Sequence, residues 1–553
     1  MAKLRAIPIV NPTMFAPPFR RLRPLILLVA LGTIGGCAML APAPDLERLR
    51  SGVAIPRSWQ QADEGTPVSE ARDWAHWWRN LGDSHLDTLI EQGLTNAPDV
   101  RLARARLRQA RESRNLAAAG WWPGLDASVS ASRSPGGGPN SSDTLYRAGF
   151  DASWEPDIFG GVRHGVAVAD ADLAAQAARL EQAQVSLTAE IALNYVEYRL
   201  DQERLRIACR NAASQAEILD ITRWRAQAGL VTELDVEQAR AALAQTRATI
   251  PGMKNAQVAS LNRLDVLLGQ PPGTFFARDQ EKRATISSAA TVPPEGFPGT
   301  DLERFFRPGD PEPCNLFDTY PRLYETYGPA GLLTSPQPLP TAPAMIAAGI
   351  PAEALYRRPD VRAAEHALAA EIARVRVTLA ERFPRPRLSG SFGWQDAGFA
   401  ALGGPETIVR SLAASLAASL FDGGRVRSRI GQQAAAAEQA LASYEQTLLT
   451  ALEDVENALS SYASGKRREI ERDKAAAAAR NAAQLASQMY QAGLVDFQKV
   501  LDAQRTQLSA EDGLASARGD ILLAIVQLYK ALGGGWTPVD AGRDNALPSI
   551  SLR

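Results

Sequence analysis

Apolar residues step by three and four along two very long stretches of the chain. In the first, Leu173, Ala177, Leu180, Leu187, Ile191, Tyr198 and Leu205 hold one helical face, interrupted by polar residues at 184, 194 and 201. In the second, Leu441, Tyr444, Leu448, Ala451, Val455, Ala458 and Tyr462 hold it without a break. This spacing predicts helices with coiled-coil-like seams. A helix from residue 165 to 227 is roughly 90 Å long at ~1.5 Å per residue, too long for a compact domain and suited to a tube or stalk. Both stretches end on the same phrase, Gln227-Ala-Gly-Leu-Val231 and Gln491-Ala-Gly-Leu-Val495, an offset of 264 (491 − 227). A Gly directly after a helix, followed at once by a new amphipathic run, predicts a helix–helix turn.

Upstream of each long helix the period changes from 3.6 to 2. Asn96-Ala-Pro98-Asp99-Val100-Arg101 opens a shorter helix that Trp121-Trp122-Pro123 halts. Arg358-Pro359-Asp360-Val361-Arg362 opens its counterpart, which stops at Phe383-Pro384, an offset of 261 (384 − 123). Then Leu125, Ala127, Val129 and Ala131 alternate with Asp126, Ser128 and Ser130. After a Gly/Pro/Ser loop, Tyr146, Ala148, Phe150, Ala152 and Trp154 alternate with Arg147, Gly149, Asp151 and Ser153. In the second copy Leu388, Gly390, Phe392 and Trp394 alternate with Ser389, Ser391 and Gly393, and Leu412, Ala414, Leu416, Ala418 and Leu420 with Ser411, Ser415 and Ser419. Strands of about ten residues, apolar on one face and small-polar on the other, are the pattern of a transmembrane β-barrel. Leu412, Leu416 and Leu420 also fit a helix. Their repeat partner, Leu145 to Trp154, carries the Gly and aromatics of a strand and decides the matter.

The duplication orders the whole chain. A signal segment is expected over 1–36, a lipidated tether over 37–73, and a first repeat over 74–269 with strands near 124–132 and 145–155. A Pro/Gly-rich equatorial linker follows at 270–350, then a second repeat over 351–536 with strands near 387–395 and 408–420, and a tail at 537–553. Trp74-Ala-His-Trp77-Trp78, with Leu81, Leu86, Leu89, Ile90 and Leu94 behind it, predicts a short amphipathic helix packed by tryptophan.

Composition narrows the function. A net charge of −1 with 22% charged residues gives no electrostatic footprint for nucleic acid. Arg20, Arg21 and Arg23 precede an apolar run from Leu25 to Ile34, too short to span a bilayer and typical of a signal h-region; Met14 offers a second start with a shorter n-region. Ile34-Gly35-Gly36-Cys37 resembles a bacterial lipobox, so Cys37 is the expected lipidation site, with a palmitate-type anchor, and Ala38 favours the outer membrane. Cys209 and Cys314 remain and read as free or buried thiols. Two cysteines and four scattered histidines make no metal site, and no GxxxxGK[ST], HExxH or GxSxG is present, so neither a cofactor nor an enzyme is expected.

Four strands cannot close a barrel, since about eight is the practical minimum. An open sheet in lipid leaves edge groups unpaired, so closure requires several chains. The expected fold class is therefore an α+β membrane protein. Long helical hairpins and four strands per chain trimerise into a twelve-stranded β-barrel continued by a periplasmic α-helical barrel. At this point the chain resembles an outer-membrane factor of the TolC/OprM type, in the NodT-like efflux lipoprotein branch. The residues that carry the resemblance are Cys37, Trp77-Trp78, Asn96 with Asp99-Val100-Arg101, Gly229-Leu230-Val231 with Leu234-Asp235, and Arg358-Pro359-Asp360. Leu501-Asp502-Ala503-Gln504-Arg505 and Tyr529-Lys-Ala-Leu-Gly-Gly-Gly-Trp536 complete the set.

The resemblance implies a lipid-anchored homotrimer in the outer membrane, a passive conduit for drugs and toxic compounds. It implies a periplasmic adaptor protein and an inner-membrane pump, of RND type, as partners. A type I protein-secretion duct is the alternative within the family, and a lipid-anchored periplasmic coiled-coil scaffold the alternative outside it. It further implies that the turns at Gly229-Leu230 and Gly493-Leu494 are the docking tip. Asp502, with Arg505 and Lys499 on the same helix face, is then the tip constriction. Without the family, the plainer reading of those three is an exposed face with i,i+3 ion pairs worth about 0.3 kcal/mol each.

Overall fold

The computed structural model describes residues 52–60, 74–135, 142–275, 277, 338–342, 355, 357–419 and 421–536. The signal segment, Cys37, Cys314, most of the linker and the tail lie outside the described residues. After a 3-10 turn at Trp77–Leu81 come α1 (Ser84–Asn96), α2 (Pro98–Ala119), β1 (Gly124–Pro135), β2 (Ser142–Trp154), α3 (Gly161–Gln227) and α4 (Glu233–Leu267). The second half gives α5 (Pro359–Ala380), β3 (Arg385–Asp396), β4 (Ile408–Ala417), α6 (Arg425–Gln491) and α7 (Phe497–Ala531). The helices that lead back and forth match in length between the halves: α3 and α6 each have 67 residues, α4 and α7 each 35. Two compact units result, Asn115–Val168 with Ala370–Gln439, and Arg50–Arg114 with Ala169–Ala369 and Ala440–Arg553.

The first unit holds one antiparallel sheet in the order β1-β2-β3-β4. The β2–β3 pairing joins the two halves of the chain, with Tyr146 opposite Asp396 and Trp154 opposite Leu388. The register sorts the alternation into faces: Ala127, Phe150, Phe392 lie in one row, Ser128, Gly149, Gly393 in the next. On the polar face Ser128 Oγ donates to Asp151 at 3.0 Å, Arg147 Nε to Gln395 at 3.0 Å, and Ser391 pairs with Ser411 at 2.7 Å. Large residues on the other face stand in the open: Leu125, Val129 and Leu412 are 70%, 81% and 81% exposed. Gly149 and Gly393 face each other so closely that a Cβ on Gly149 would lie 2.8 Å from the Gly393 Cα, and one on Gly393 2.5 Å from the Ala148 carbonyl. Among the described residues neither β1 nor β4 has a partner on its outer edge.

Strand passes to helix through the same device twice. Asp157 accepts from the backbone N–H of Val162 (3.1 Å) and Arg163 (2.8 Å). Asp422 accepts from Gly424 (2.9 Å) and Val426 (2.8 Å), and these bonds hold its carboxyl below the usual range. Phe159 and Phe383 stack at 4.9 Å beside these junctions.

The second unit packs around buried Trp77 and Trp78, with Leu86, Ile90, Leu187, Ile191, Ile525 and Leu528. Trp77 stacks on Tyr529 at 5.0 Å, which ties the 3-10 turn to the end of α7. The seam positions Leu180, Leu187, Ile191, Tyr198 and Leu205 of α3 and Leu448, Ala451, Val455 and Ala458 of α6 are buried. Some polar side chains buried on α3 are hydrogen-bonded in place, while Gln184 and Gln215 leave a buried Oε1 without a partner among the described residues. Fully buried Arg199 donates to Tyr195 OH (2.9 Å) and Gln202 (2.8 Å), and Tyr195 OH donates to Asp83 (2.5 Å), the N-cap of α1. Arg358, also buried, donates to the Ala531 carbonyl at the end of α7 (2.9 Å), to Asp360 (2.7 Å) and to Asp454 (3.0 Å). Burial raises the Glu181 pKa, and Arg362 at 2.7 Å offsets only part of that.

Two features depart from the sequence reading. Residues 52–60 do not hang free as a tether: Gly52 N donates to Glu445 (3.0 Å) and Gln60 N to Glu456 (2.8 Å), along α6. Cys209 is not a thiol. It is 1% exposed and disulfide-bonded, to a partner outside the described residues. In an exported chain with an oxidising destination, two cysteines left after the lipobox are enough for one bridge. Pro251 lies inside α4, which continues through it.

Candidate functional site at the helical-hairpin turns

The two repeated phrases fold into the same turn. Gly229 (φ +71°) follows α3, its N–H bonding to the Ala226 carbonyl (2.9 Å) and that of Leu230 to Arg225 (2.8 Å). Gly493 (φ +77°) follows α6, with Gly493 N to Tyr490 O (2.9 Å) and Leu494 N to Met489 O (2.9 Å). These are Schellman motifs, and their left-handed position is why glycine stands there. Two residues on, each return helix is capped: Thr232 accepts from Asp235 N within a capping box, and Asp496 accepts from Lys499 N at 3.1 Å.

The copies then diverge. Asp235, third in α4, is held by Thr232 through backbone N (2.9 Å) and Oγ1 (2.8 Å). Its equivalent in α7 (235 + 264) is Lys499, a cation in the first turn of a helix, where the dipole favours an anion. Lys499, Asp502 and Arg505 are all exposed, and among the described residues no ion pair joins any two of them. The i,i+3 pairing expected for that face does not form within one chain, which leaves all three side chains open to other groups.

What fastens the two hairpins together is a pair that the sequence reading passed over. The Arg225 guanidinium lies over the Tyr490 ring, 4.6 Å from its centroid, and donates to the Tyr490 carbonyl. The Tyr490 hydroxyl meets Thr222 at 3.1 Å, and its ring meets Phe497 edge-on at 6.0 Å. Tyr490 is 2% exposed. The signal was there: at the repeat offset Tyr490 replaces Ala226 and Arg225 replaces Met489, so each partner is absent from the other copy. Around the turns Trp224, Leu230, Leu234 and Leu494 are 66%, 66%, 64% and 71% exposed, an apolar rim with no cover in the single chain.

Farther from the turns, α3 and α7 are cross-linked by Arg204–Asp512 (2.7 Å) and by Glu511, 4% exposed, which binds Arg210 (2.5 Å) and Arg480 (3.0 Å). Glu511, Arg210 and Arg480 line a cavity of about 760 Å³ walled by α3, α6, α7 and residues 338–342. Its other cations are paired too, Arg206 with Glu203 and Arg518 with Glu469. Among the described residues no cluster of His, Cys, Asp and Glu fits a metal ion, and no helix is long and apolar enough to cross a membrane.

The chain that folds into these two duplicated hairpins and this four-stranded sheet matches a known sequence profile, "Outer membrane efflux protein", over residues 89–270 and 350–534. The chain belongs to the outer membrane efflux protein family. The pyoverdine export outer membrane protein OpmQ of Pseudomonas aeruginosa is 31% identical over 526 residues, 93% of this chain and 97% of its own. The toluene efflux pump outer membrane protein TtgI of Pseudomonas putida is 26% identical over 92% of this chain and 98% of its own. Among solved structures, the outer-membrane channel OprN superposes with a TM-score of 0.73 at 34% identity, covering 90% of this chain and 99% of that one. This chain is accordingly an outer-membrane efflux channel of the TolC/OprM type, a conduit and not an enzyme.

Proposed function

We propose that three copies of the channel join β4 of one to β1 of the next, making a twelve-stranded barrel continued through the periplasm by a barrel of helices. The observation that carries this is the open four-stranded sheet with bare outer edges and an exposed apolar face. In lipid each unpaired edge group costs several kcal/mol, and four strands are too few to curl into a closed ring. Lipid on Cys37 anchors the assembly in the outer membrane. The apolar rim of Trp224, Leu230, Leu234 and Leu494, presented by the turns at Gly229 and Gly493, receives a periplasmic adaptor, which couples the conduit to an inner-membrane pump of RND type. The cargo is a small molecule rather than a protein, a reading supported by relatives named for pyoverdine and toluene.

Asp502, Arg505 and Lys499 form the constriction at the tip, and their partners are the same residues of neighbouring copies, since among the described residues none of the three forms an ion pair. Imaging the detergent-extracted protein tests the assembly, and a compact monomer rejects it. In bilayers, Asp502→Ala is expected to raise basal conductance and antibiotic leakage; unchanged values of both remove the constriction from this residue. Lys499 is expected to weaken cation selectivity, which a reversal potential near the cation limit would contradict.

A further inference from the structure

We infer that the loop end of the sheet's apolar face binds the phosphate of an outer-leaflet lipid through Arg410 and Arg133. The inference rests on the barrel reading above, which turns this face towards lipid. In β4 the residues on that face are Ile408, Arg410, Leu412, Ala414 and Leu416. The register fixes Arg410 there: it lies opposite Phe392, which lies opposite Phe150, which lies opposite Ala127. Arg410 is exposed, and among the described residues it makes no ion pair or side-chain hydrogen bond. It stands two residues from the loop end of its strand, roughly 7 Å along it at ~3.4 Å per residue.

The other edge strand also carries an exposed arginine on this face. Arg133 shares the face of Leu125, Ala127, Val129 and Ala131 and stands two residues from the loop end of β1, opposite Thr144. Between the two arginines, at the same end, the face carries Trp394 and Tyr146, with Phe399 edge-on to Tyr146 at 5.6 Å. Among the described residues the one carboxylate on this part of the face, Asp396, accepts from Gly398 N at 2.7 Å. The helix end of the same face holds Leu125, Trp154, Leu388 and Leu416, and no charge.

Cations confined to one end of a lipid-facing surface, beside aromatic rings, mark the headgroup level. A guanidinium there reaches out of the hydrocarbon and matches a phosphate with two parallel N–H donors. Because Arg410 and Arg133 lie on the two edge strands, closing the ring sets them on either side of each seam between copies. Three seams give three sites, each for an anionic amphiphile whose acyl chains cover the apolar rows below.

Native mass spectrometry of the delipidated trimer, with a bis-phosphorylated glycolipid or with phosphatidylethanolamine added, tests this. The wild type is expected to retain up to three glycolipid molecules per trimer and few of the zwitterionic lipid. Arg133→Gln with Arg410→Gln is expected to lower glycolipid retention at least fivefold with the trimer intact. Arg133→Lys with Arg410→Lys retains most of it, and Arg147→Gln, on the polar face, changes nothing. Equal retention by the wild type and the double Gln variant, or equal retention of both lipids, overturns the site alone. A monomer in every spectrum overturns the barrel reading and the site with it.

Discussion

Arg358 shows how one side chain can hold several elements at once. It is 7% exposed, and its guanidinium bridges the last carbonyl of α7, the first turn of α5 through Asp360, and α6 through Asp454. Removing it leaves two carboxylates and a helix-end carbonyl short of a donor in a partly buried place. Arg358→Ala is therefore expected to cost about 3–5 kcal/mol, the range for breaking a buried ion pair from one side. Arg358→Lys, which keeps the charge and loses the fork, should cost clearly less than Ala; equal melting temperatures for wild type and Ala would refute the assignment. The residue was legible in the sequence as the one directly before the repeated Pro-Asp-Val-Arg opening, but its partners were not. Asp454 and Ala531 are about 100 to 170 positions away (454 − 358, 531 − 358), beyond any local pattern.

At the scale of elements the alternation was the strongest signal. β1 to β4 follow from period-2 runs, and the ambiguous Leu412-Leu416-Leu420 spacing resolves as a strand through Leu416. The alternation says which face a residue takes, and so it separated the Gly149 and Gly393 row from the apolar one. It does not give the distance between strands. That comes from the pair itself: two glycines opposite each other let β2 and β3 approach until a Cβ on either would lie within 3 Å of the neighbouring backbone. Gly393→Val is expected to open this pairing and lower the yield of folded protein, with the loss read as heat-modifiable mobility in gels. Leu388→Val, on the other face of β3, is expected to leave it unchanged. The helix turns were legible to the residue at Gly229 and Gly493, since positive φ after a helix is what glycine serves. The Arg225–Tyr490 clasp was not, because it is made of residues in which the two copies differ, and a search for repeats reads past differences.

For the whole molecule, family membership secures the conduit, and the duplication explains why one chain supplies two hairpins and two strand pairs. Cys209 adds a covalent tie that periodicity cannot reveal. A bridge from the buried face of α3 constrains the unfolded chain, an effect typically of 2–4 kcal/mol. Reduction under native conditions is expected to lower the melting temperature, and Cys209→Ala to do the same and to remove the difference between reduced and oxidised samples. A melting temperature indifferent to reductant in the wild type would argue that the bridge adds nothing to stability.

Pro251 has a mechanical consequence. A proline has no N–H to give to the carbonyl four residues back, so α4 crosses residues 247–251 with one rung of its ladder missing, and Gly252 follows at once. The equivalent place in α7 (251 + 264) is Ala515, where the ladder is whole. The two return helices thus differ in bending stiffness although they are equal in length. Amide exchange is expected to be faster around 248–253 than around 512–517, and Pro251→Ala to slow it. The first hairpin would then act as the compliant arm of the assembly and the second as its rigid one, so that strain applied at the turns is absorbed on one side before the other yields.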